Sequence, residues 1–281
     1  MTVSQAIAHI RDRLDSVNLD NTAAESDWIV SHFLETDRVA LHAEPDRILT
    51  ADQEKCVREA ADRRRRREPL QYVLGNVPFC DCVISVGPGV LIPRPETEWI
   101  VETVIERRSA ASSILDIGTG SGAIAVALAT RLPQATVTAI DLSDAALQIA
   151  QANAIDNEVS DRIRFLRGDL SSLPFVPGSF DLIISNPPYI RSSDMAALAP
   201  EILDHEPLLA LEAGHDGLSC YQAIAAQSAD LIRQGGRLEL ELPGLPPEPI
   251  LELFQTHDYG PTEIENDWAG KPRLLTVLNS T

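Results

Sequence analysis

The sequence predicts a doubly wound α/β domain, with a mostly parallel sheet, preceded by a small helical bundle. Three observations predict it. From Ser113 onward, strand-like runs alternate with helical ones. The first of those strands runs straight into a glycine loop, DIGTGSG, over Asp116–Gly122. Before Tyr72 no period-two alternation is visible, only apolar residues at three- and four-residue spacing.

The front of the chain reads as helices. Ile7, Ile10, Leu14 and Val17 line one helix face, and Trp28, Ile29, Phe33 and Leu34 a second. Asp37–Leu41 opens a third, short helix. Thr50 is an N-cap with Gln53 three places on, the spacing of a capping box, and its helix extends to about Arg67, before Pro69. From Gln71 to Pro93 glycines and prolines punctuate Val73, Val77, Phe79, Cys82, Ile84 and Val86, a pattern for a short hairpin or extended connector. On a strand, Cys80 and Cys82 would point the same way. No second cysteine or histidine pair lies near enough to complete four zinc ligands, so no metal is expected.

Strands follow at Ser113–Ile117, Thr136–Ile140, Arg162–Leu166, Phe180–Ile184, Arg237–Leu242 and Arg273–Leu278, with helices over Ala123–Ala129, from Ser143 to about Asn153, and over Leu218–Ile232. A sheet wound in this way binds its ligands at the carboxyl ends of its strands.

Composition limits the partners. The 281 residues include 42 acidic and 23 basic side chains, a formal charge of -19. Residues 1–77 carry 14 acidic and 11 basic; the rest carry 28 and 12. Such a chain is not drawn to DNA or an anionic membrane by its overall field. The amphipathic start MTVSQAIAHIRDRL does not read as a signal peptide, and no apolar run reaches the ~18 residues of a membrane span. Four cysteines are too few for a disulfide scaffold of this size. A cytoplasmic monomer with no stable nucleic-acid partner is expected. The arginine run Arg63–Arg67 fits a solvated helix end, where positive charge suits the dipole, or a contact with something acidic.

The glycine loop points to a nucleotide-like cofactor. Gly118, Gly120 and Gly122, with Thr119 and Ser121 between them, allow close approach to backbone. Gly118, Gly120 and Ala123 also satisfy G-x-G-x-x-A, so the loop alone permits NAD. Asp116, just before the glycines, would repel a pyrophosphate and welcome an ammonium, which favours S-adenosylmethionine. Asp141, closing the second strand, suits the ribose hydroxyls of either cofactor. Asp169 and Leu170, in RGDL after the third strand, stand where an adenine would meet an acceptor and an apolar cover.

The motif Asn186–Tyr189, NPPY, follows FDLIIS at its carboxyl end. Tandem prolines stiffen the chain and remove two donors, so carbonyls of Asn186 and Pro187 lack easy internal partners. Asn186 adds a side-chain acceptor and Tyr189 a flat ring. Asn186, Pro187, Pro188 and Tyr189 together suit a planar NH2 group held for methyl transfer. An amide side chain and the exocyclic amine of a DNA base both fit; the acidic charge disfavours the base. No general base is required, so His205 is not assigned one.

These motifs resemble those of the protein-(glutamine-N5) methyltransferases that modify peptide chain release factors. The likeness extends over REPLQYVLG (Arg67–Gly75), GVLIPRPETE (Gly89–Glu98), ILDIGTGSGAIA (Ile114–Ala125), NPPYI (Asn186–Ile190), HEPLLAL (His205–Leu211) and AGKPR (Ala269–Arg273). It implies a helical release-factor-recognition domain over 1–70, a β-hairpin connector over 71–93 and a seven-stranded methyltransferase domain over 94–281. It also implies that Gly118–Gly122, Asp141, Asp169 and Leu170 contact S-adenosylmethionine, and that Asn186–Tyr189 holds the glutamine of a Gly-Gly-Gln motif. Arg94 and Glu98 are expected to help shape the site. One segment departs: where the family reads like E-x-G-x-x-Q, Glu239–Pro247 reads ELELPGLPP.

Overall fold

The computed structural model describes residues 1–107, 110–257 and 259–279, which form two units. The first contains Met1–Gly75 together with Ala199–His205. Its helices are α1 (Val3–Asp15), α2 (Thr22–Phe33), α3 (Arg38–Ala43), α4 (Ala51–Arg65), α5 (Leu70–Leu74) and, from the later segment, α9 (Pro200–Leu203).

Local chemistry sets the helix starts. Thr2 and Thr50 each accept from the backbone of a glutamine three residues on, Gln5 and Gln53, whose side chains accept back from the cap N–H. Asp37 caps α3 through Ala40 N. Ile10, Leu14, Ile29, Val30, Val57 and Ala61 form the core of this unit. Trp28 does not share the buried face expected of it: it is 46% exposed, because consecutive helical positions 28 and 29 point about 100° apart. Tyr72 and Val73 lie on α5 rather than in an extended connector. Gly75, at φ +85°, ends that helix in the left-handed region.

The arginine run divides by geometry. Arg64 is buried, donating to Glu25 (2.6 Å) and Glu201 (3.2 Å) and to the Glu68 carbonyl (3.2 Å). Arg63 pairs with Glu68 and donates to the carbonyls of Tyr72 and Val73. Arg65 and Arg66 are exposed.

The second unit contains Asn76–Leu198 and Glu206–Thr281. It opens with an antiparallel hairpin, β1 (Asn76–Phe79) and β2 (Cys82–Ser85). Cys80 lies in its turn at φ +47°, so it does not share a strand face with Cys82. Burial raises both thiol pKa values. Among the described residues no group of three His, Cys, Asp or Glu is arranged to hold a metal ion, and no helix is long and apolar enough to cross a membrane.

There follow α6 (Pro95–Arg107), β3 (Ser113–Ile117), α7 (Ala123–Arg131), β4 (Thr136–Asp141), α8 (Asp144–Asp156), β5 (Ile163–Arg167), β6 (Phe180–Ser185), α10 (Ser219–Leu231), β7 (Ile232–Glu241), α11 (Glu248–Gln255), β8 (Thr262–Asn266) and β9 (Pro272–Leu278). The strands make one seven-stranded sheet in the order β5-β4-β3-β6-β7-β9-β8. Neighbours are parallel from β5 to β7, and β9 runs antiparallel to both β7 and β8. The apolar runs of β3 and β6 are buried because both faces of a doubly wound sheet are covered. Strand order reverses between β3 and β6, which opens a crevice at their carboxyl ends.

Replacing Arg64, itself buried, takes the ion partner from half-buried Glu25, while Glu201 keeps Arg67 at 3.2 Å. Arg64→Met is expected to lower the unfolding free energy by about 3 to 5 kcal/mol. Arg65→Ala, at an exposed position, should stay within about 0.5 kcal/mol. Urea titrations of the two variants beside wild type check this.

Candidate active site at the strand ends

The glycine loop leaves β3 into the crevice. Gly118 and Thr119 donate to the Ile140 carbonyl of β4, both at 2.9 Å. Asp141, at the end of β4, accepts from Gly120 N and from Ser143 N, both at 2.8 Å. One carboxylate therefore shapes the loop and also opens α8, whose N-cap is Ser143. Gly122 is needed twice: its φ is +79°, and a Cβ there would stand 2.9 Å from the Ala150 Cβ of α8. Behind the loop Asn153, wholly buried, ties α8 to Ser121 O and to the hairpin at Ser85.

Asp116 is fully buried under this loop. Its Oδ2 accepts from Thr119 Oγ1 at 2.6 Å. Burial raises its pKa to about 7; the Thr119 hydroxyl opposes that rise, and the nearby Asp141 charge adds to it.

On the other side of the switch point, Ser185 Oγ donates to Ile117 O at 2.7 Å, tying the exits of β6 and β3 together. Asn186 then donates from Nδ2 to Thr97 Oγ1 at 3.1 Å, and Thr97 Oγ1 lies 2.6 Å from Glu241 Oε2. Glu241 is almost completely buried, and that burial raises its pKa to about 7. Beyond the two prolines the chain is pinned by Ile190 N to Leu211 O (2.9 Å), Ala213 N to Ile190 O (2.8 Å) and Ser192 N to Gly214 O (2.9 Å). Gly217, at φ +77°, leaves room for the Tyr189 carbonyl, which would lie 2.6 Å from a Cβ. Tyr189 packs on the main apolar core, and burial raises its phenol pKa.

A cavity of about 370 Å³ occupies the crevice. Its walls bring together Gly118, Gly120, Asp141, Asp169, Leu170, Asn186 and Pro188. Asp116, Thr119, Ser121, Gly122, Pro187 and Tyr189 are not among its lining residues. Asp169 is exposed at its rim, and its Oδ1 accepts from the backbone and hydroxyl of Ser171, both at 2.9 Å. Leu142, Pro207 and Leu209 add apolar surface.

Two expected contributors do not line the cavity but brace the backbone around it. Glu98 accepts from Cys80 N at 2.6 Å and so braces the hairpin turn. Arg94 pairs with buried Glu206 at 2.6 Å; the other Glu206 oxygen accepts from Ile92 N. That carboxylate fastens the strand-to-helix approach before α6 to the segment carrying Pro207 and Leu209. Glu206, Thr97 and Glu241 carry no motif of their own in the sequence. Acids at the covered end of a strand, and a threonine between the carboxylates of PRPETE, were the available signals.

The family model "PrmC N-terminal domain" matches residues 5–75, and the model "Methyltransferase domain" matches residues 114–205. A release factor glutamine methyltransferase of Gloeobacter violaceus is 43% identical over 264 residues, 92% of this chain and 91% of that one. The MTRF1L release factor glutamine methyltransferase of Homo sapiens is 34% identical over 98% of this chain and 87% of its own. The chain belongs to the release factor glutamine methyltransferase family. A solved methyltransferase structure from Pyrococcus furiosus, 20% identical, covers 71% of this chain and 90% of that one at a TM-score of 0.52, a likeness of fold.

As a member of the release factor glutamine methyltransferase family, the chain is an S-adenosylmethionine-dependent methyltransferase. The cavity fits that cofactor: its walls carry two carboxylates, Asp141 and Asp169, and, among the described residues, no cationic side chain. Those walls suit a nucleoside bearing positive charge and no phosphate. Asp116 is fully buried and is not among the lining residues, so the discrimination expected of it is not exercised at the cavity wall, and the cofactor assignment rests on the family.

Asp141→Ala removes both pins on the loop as well as the carboxylate on the wall. It should weaken S-adenosylmethionine binding by about 10- to 100-fold, the scale of one charge-assisted bond, when measured by calorimetry. Asp116 holds its proton more tightly folded than unfolded, so its ionisation costs stability as pH rises from about 4 to about 7. Below that window the cost is absent. Asp116→Asn should therefore melt higher than wild type above pH 7, with the gain vanishing toward pH 4. Thermal melts of the cofactor-free protein at both ends of the window check the sign.

Proposed function

We propose that this chain transfers a methyl group from S-adenosylmethionine to the side-chain amide nitrogen, N5, of the glutamine in a Gly-Gly-Gln motif of peptide chain release factors. The observation that carries the reading is the placement of Asn186. Its NH2 is taken up by Thr97, which leaves Oδ1 as an acceptor on a cavity wall beside the glycine loop. The names of the relatives, release factor glutamine methyltransferases, support the substrate class.

An amide nitrogen is a poor nucleophile because its lone pair is delocalised. Acceptors on its N–H bonds return electron density to nitrogen and orient it. In this reading Asn186 Oδ1 and a backbone carbonyl of the Asn186–Pro187 pair supply them. Pro187 and Pro188 keep that backbone rigid, and Tyr189 bounds the plane of the amide. S-adenosylmethionine supplies an electrophilic methyl group when bound. The residues then have only to align and polarise the amide for a direct in-line displacement, with no covalent enzyme intermediate. Gly118–Gly122, Asp141, Asp169 and Leu170 hold the cofactor, with Asp116 shaping the loop from below.

The remaining parts of the reading follow from this substrate. Residues 1–75 act as the release-factor-recognition domain, the stretch from the hairpin at Asn76 to Pro93 as the connector, and 94–281 as the methyltransferase domain. The protein works as a cytoplasmic monomer, and its charge of -19 supports a protein substrate over nucleic acid or membrane.

Asn186→Ala should lower the single-turnover rate by about 100-fold or more, the scale of a lost transition-state hydrogen bond. The dissociation constant for S-adenosylmethionine should be nearly unchanged. Labelled cofactor incubated with release factor or with DNA tests the substrate: label on the Gly-Gly-Gln glutamine is expected, and label in DNA alone overturns the reading.

A further inference from the structure

Three polar side chains form a line from the end of β7 to the cavity wall: Glu241, Thr97 and Asn186. Glu241 is 2% exposed and Thr97 5%. A hydroxyl has one proton to give, and an ionised carboxylate only accepts. While Glu241 is charged, Thr97 therefore donates to Glu241 and offers its oxygen to Asn186. Asn186 answers with its NH2, and its Oδ1 is the end left for a substrate. Were the amide turned, its NH2 would meet the NH2 of a glutamine, donor against donor.

We propose that Thr97 and Glu241 are positioning residues, which fix the Asn186 side chain so that its oxygen faces the substrate amide. The inference rests on the reading of Asn186 as the acceptor for that amide. It adds that the sense of the hydrogen-bond line is set from the protein interior.

The line has a built-in polarity. A neutral Glu241 can donate to Thr97, and Thr97 can then donate to Asn186 Oδ1, so the constraint on the amide is lost. The groups around Glu241 come from every packed element. Arg273 of β9, and Arg94 before α6, favour its charged form, while Glu96 of α6 disfavours it. Tyr189 after β6 and Tyr221 of α10 complete the surround, and Tyr221 Oη donates to the Glu241 backbone carbonyl at 2.6 Å. Arg273 is itself held by Asp267 at 3.0 Å and lies 3.7 Å from Glu96. Burial outweighs these charges, so the carboxyl titrates near 7. A raised acid is protonated below that value and ionised above it. Methyl transfer should rise with pH through about 7 and stay level above.

The test is a pH profile of methyl transfer to release factor at saturating S-adenosylmethionine, with the cofactor dissociation constant followed at each pH. Saturation separates Glu241 from Asp116, whose titration would act on the cofactor. Thr97→Val should lower kcat by about tenfold with cofactor affinity unchanged, and Thr97→Ser should restore it. Glu241→Gln keeps the shape but presents donor and acceptor at every pH, so it should lower the plateau and erase the limb near 7. A wild-type kcat in Thr97→Val, or a limb that persists in Glu241→Gln, overturns the proposal. If Thr97→Val does not fold, Thr97→Ser and the Glu241→Gln profile decide. Asn186→Ala separates the two claims: a lost rate there beside a normal Thr97→Val sinks the positioning line alone, whereas a normal rate in Asn186→Ala sinks the acceptor reading beneath it.

Discussion

The parallel pairing of β3 with β6 is the constraint on which the site depends. Ile114, Leu115, Asp116 and Ile117 lie opposite Leu182, Ile183, Ile184 and Ser185, so both strands finish at the same level. From there one chain turns into the glycine loop and the other into the two prolines. The hydrogen bond from Ser185 to Ile117 O keeps these exits together. A cavity between them needs no special loop to enclose it, since the reversal of strand order leaves the space open. What the loops add is chemistry: a carboxylate from β4 on one wall and an amide from the end of β6 on another.

Much of this was legible from residue patterns, and the exceptions have physical reasons. The parallel strands were readable because burial on both faces makes them continuous apolar runs. The capping box at Thr50 and the cap at Ser143 were readable because they depend on residues close in sequence. β8 was not: TEIEN is polar and lies at the sheet edge, where only β9 pairs with it. α11 was hidden by the prolines around it, although proline is well tolerated in a helix's first turn. Trp28 looked internal because its neighbour Ile29 is. The cavity residues Gly118, Gly120, Asp141, Asp169, Leu170, Asn186 and Pro188 were all anticipated. The support behind them was not, since Thr97 and Glu241 are 144 positions apart.

That support shows how an acid-rich chain places its acids. Asp116, Glu206, Glu239 and Glu241 are all buried in the second unit. Each is held by partners chosen for a carboxylate: Thr119 for Asp116, Thr97 for Glu241, Thr276 for Glu239, and Arg94 with a backbone N–H for Glu206. Three of the four therefore face a threonine hydroxyl, a neutral donor that also carries lone pairs. A hydroxyl serves an ionised acid as donor and a protonated one as acceptor, so either charge state keeps a hydrogen bond. The two acids with threonine partners nearest the cavity, Asp116 and Glu241, both titrate near 7. Glu206, held by an arginine and a backbone N–H, ties together two stretches of backbone. The hydroxyl partners of Asp116 and Glu241 thus keep a hydrogen bond through a change of protonation beside the cavity.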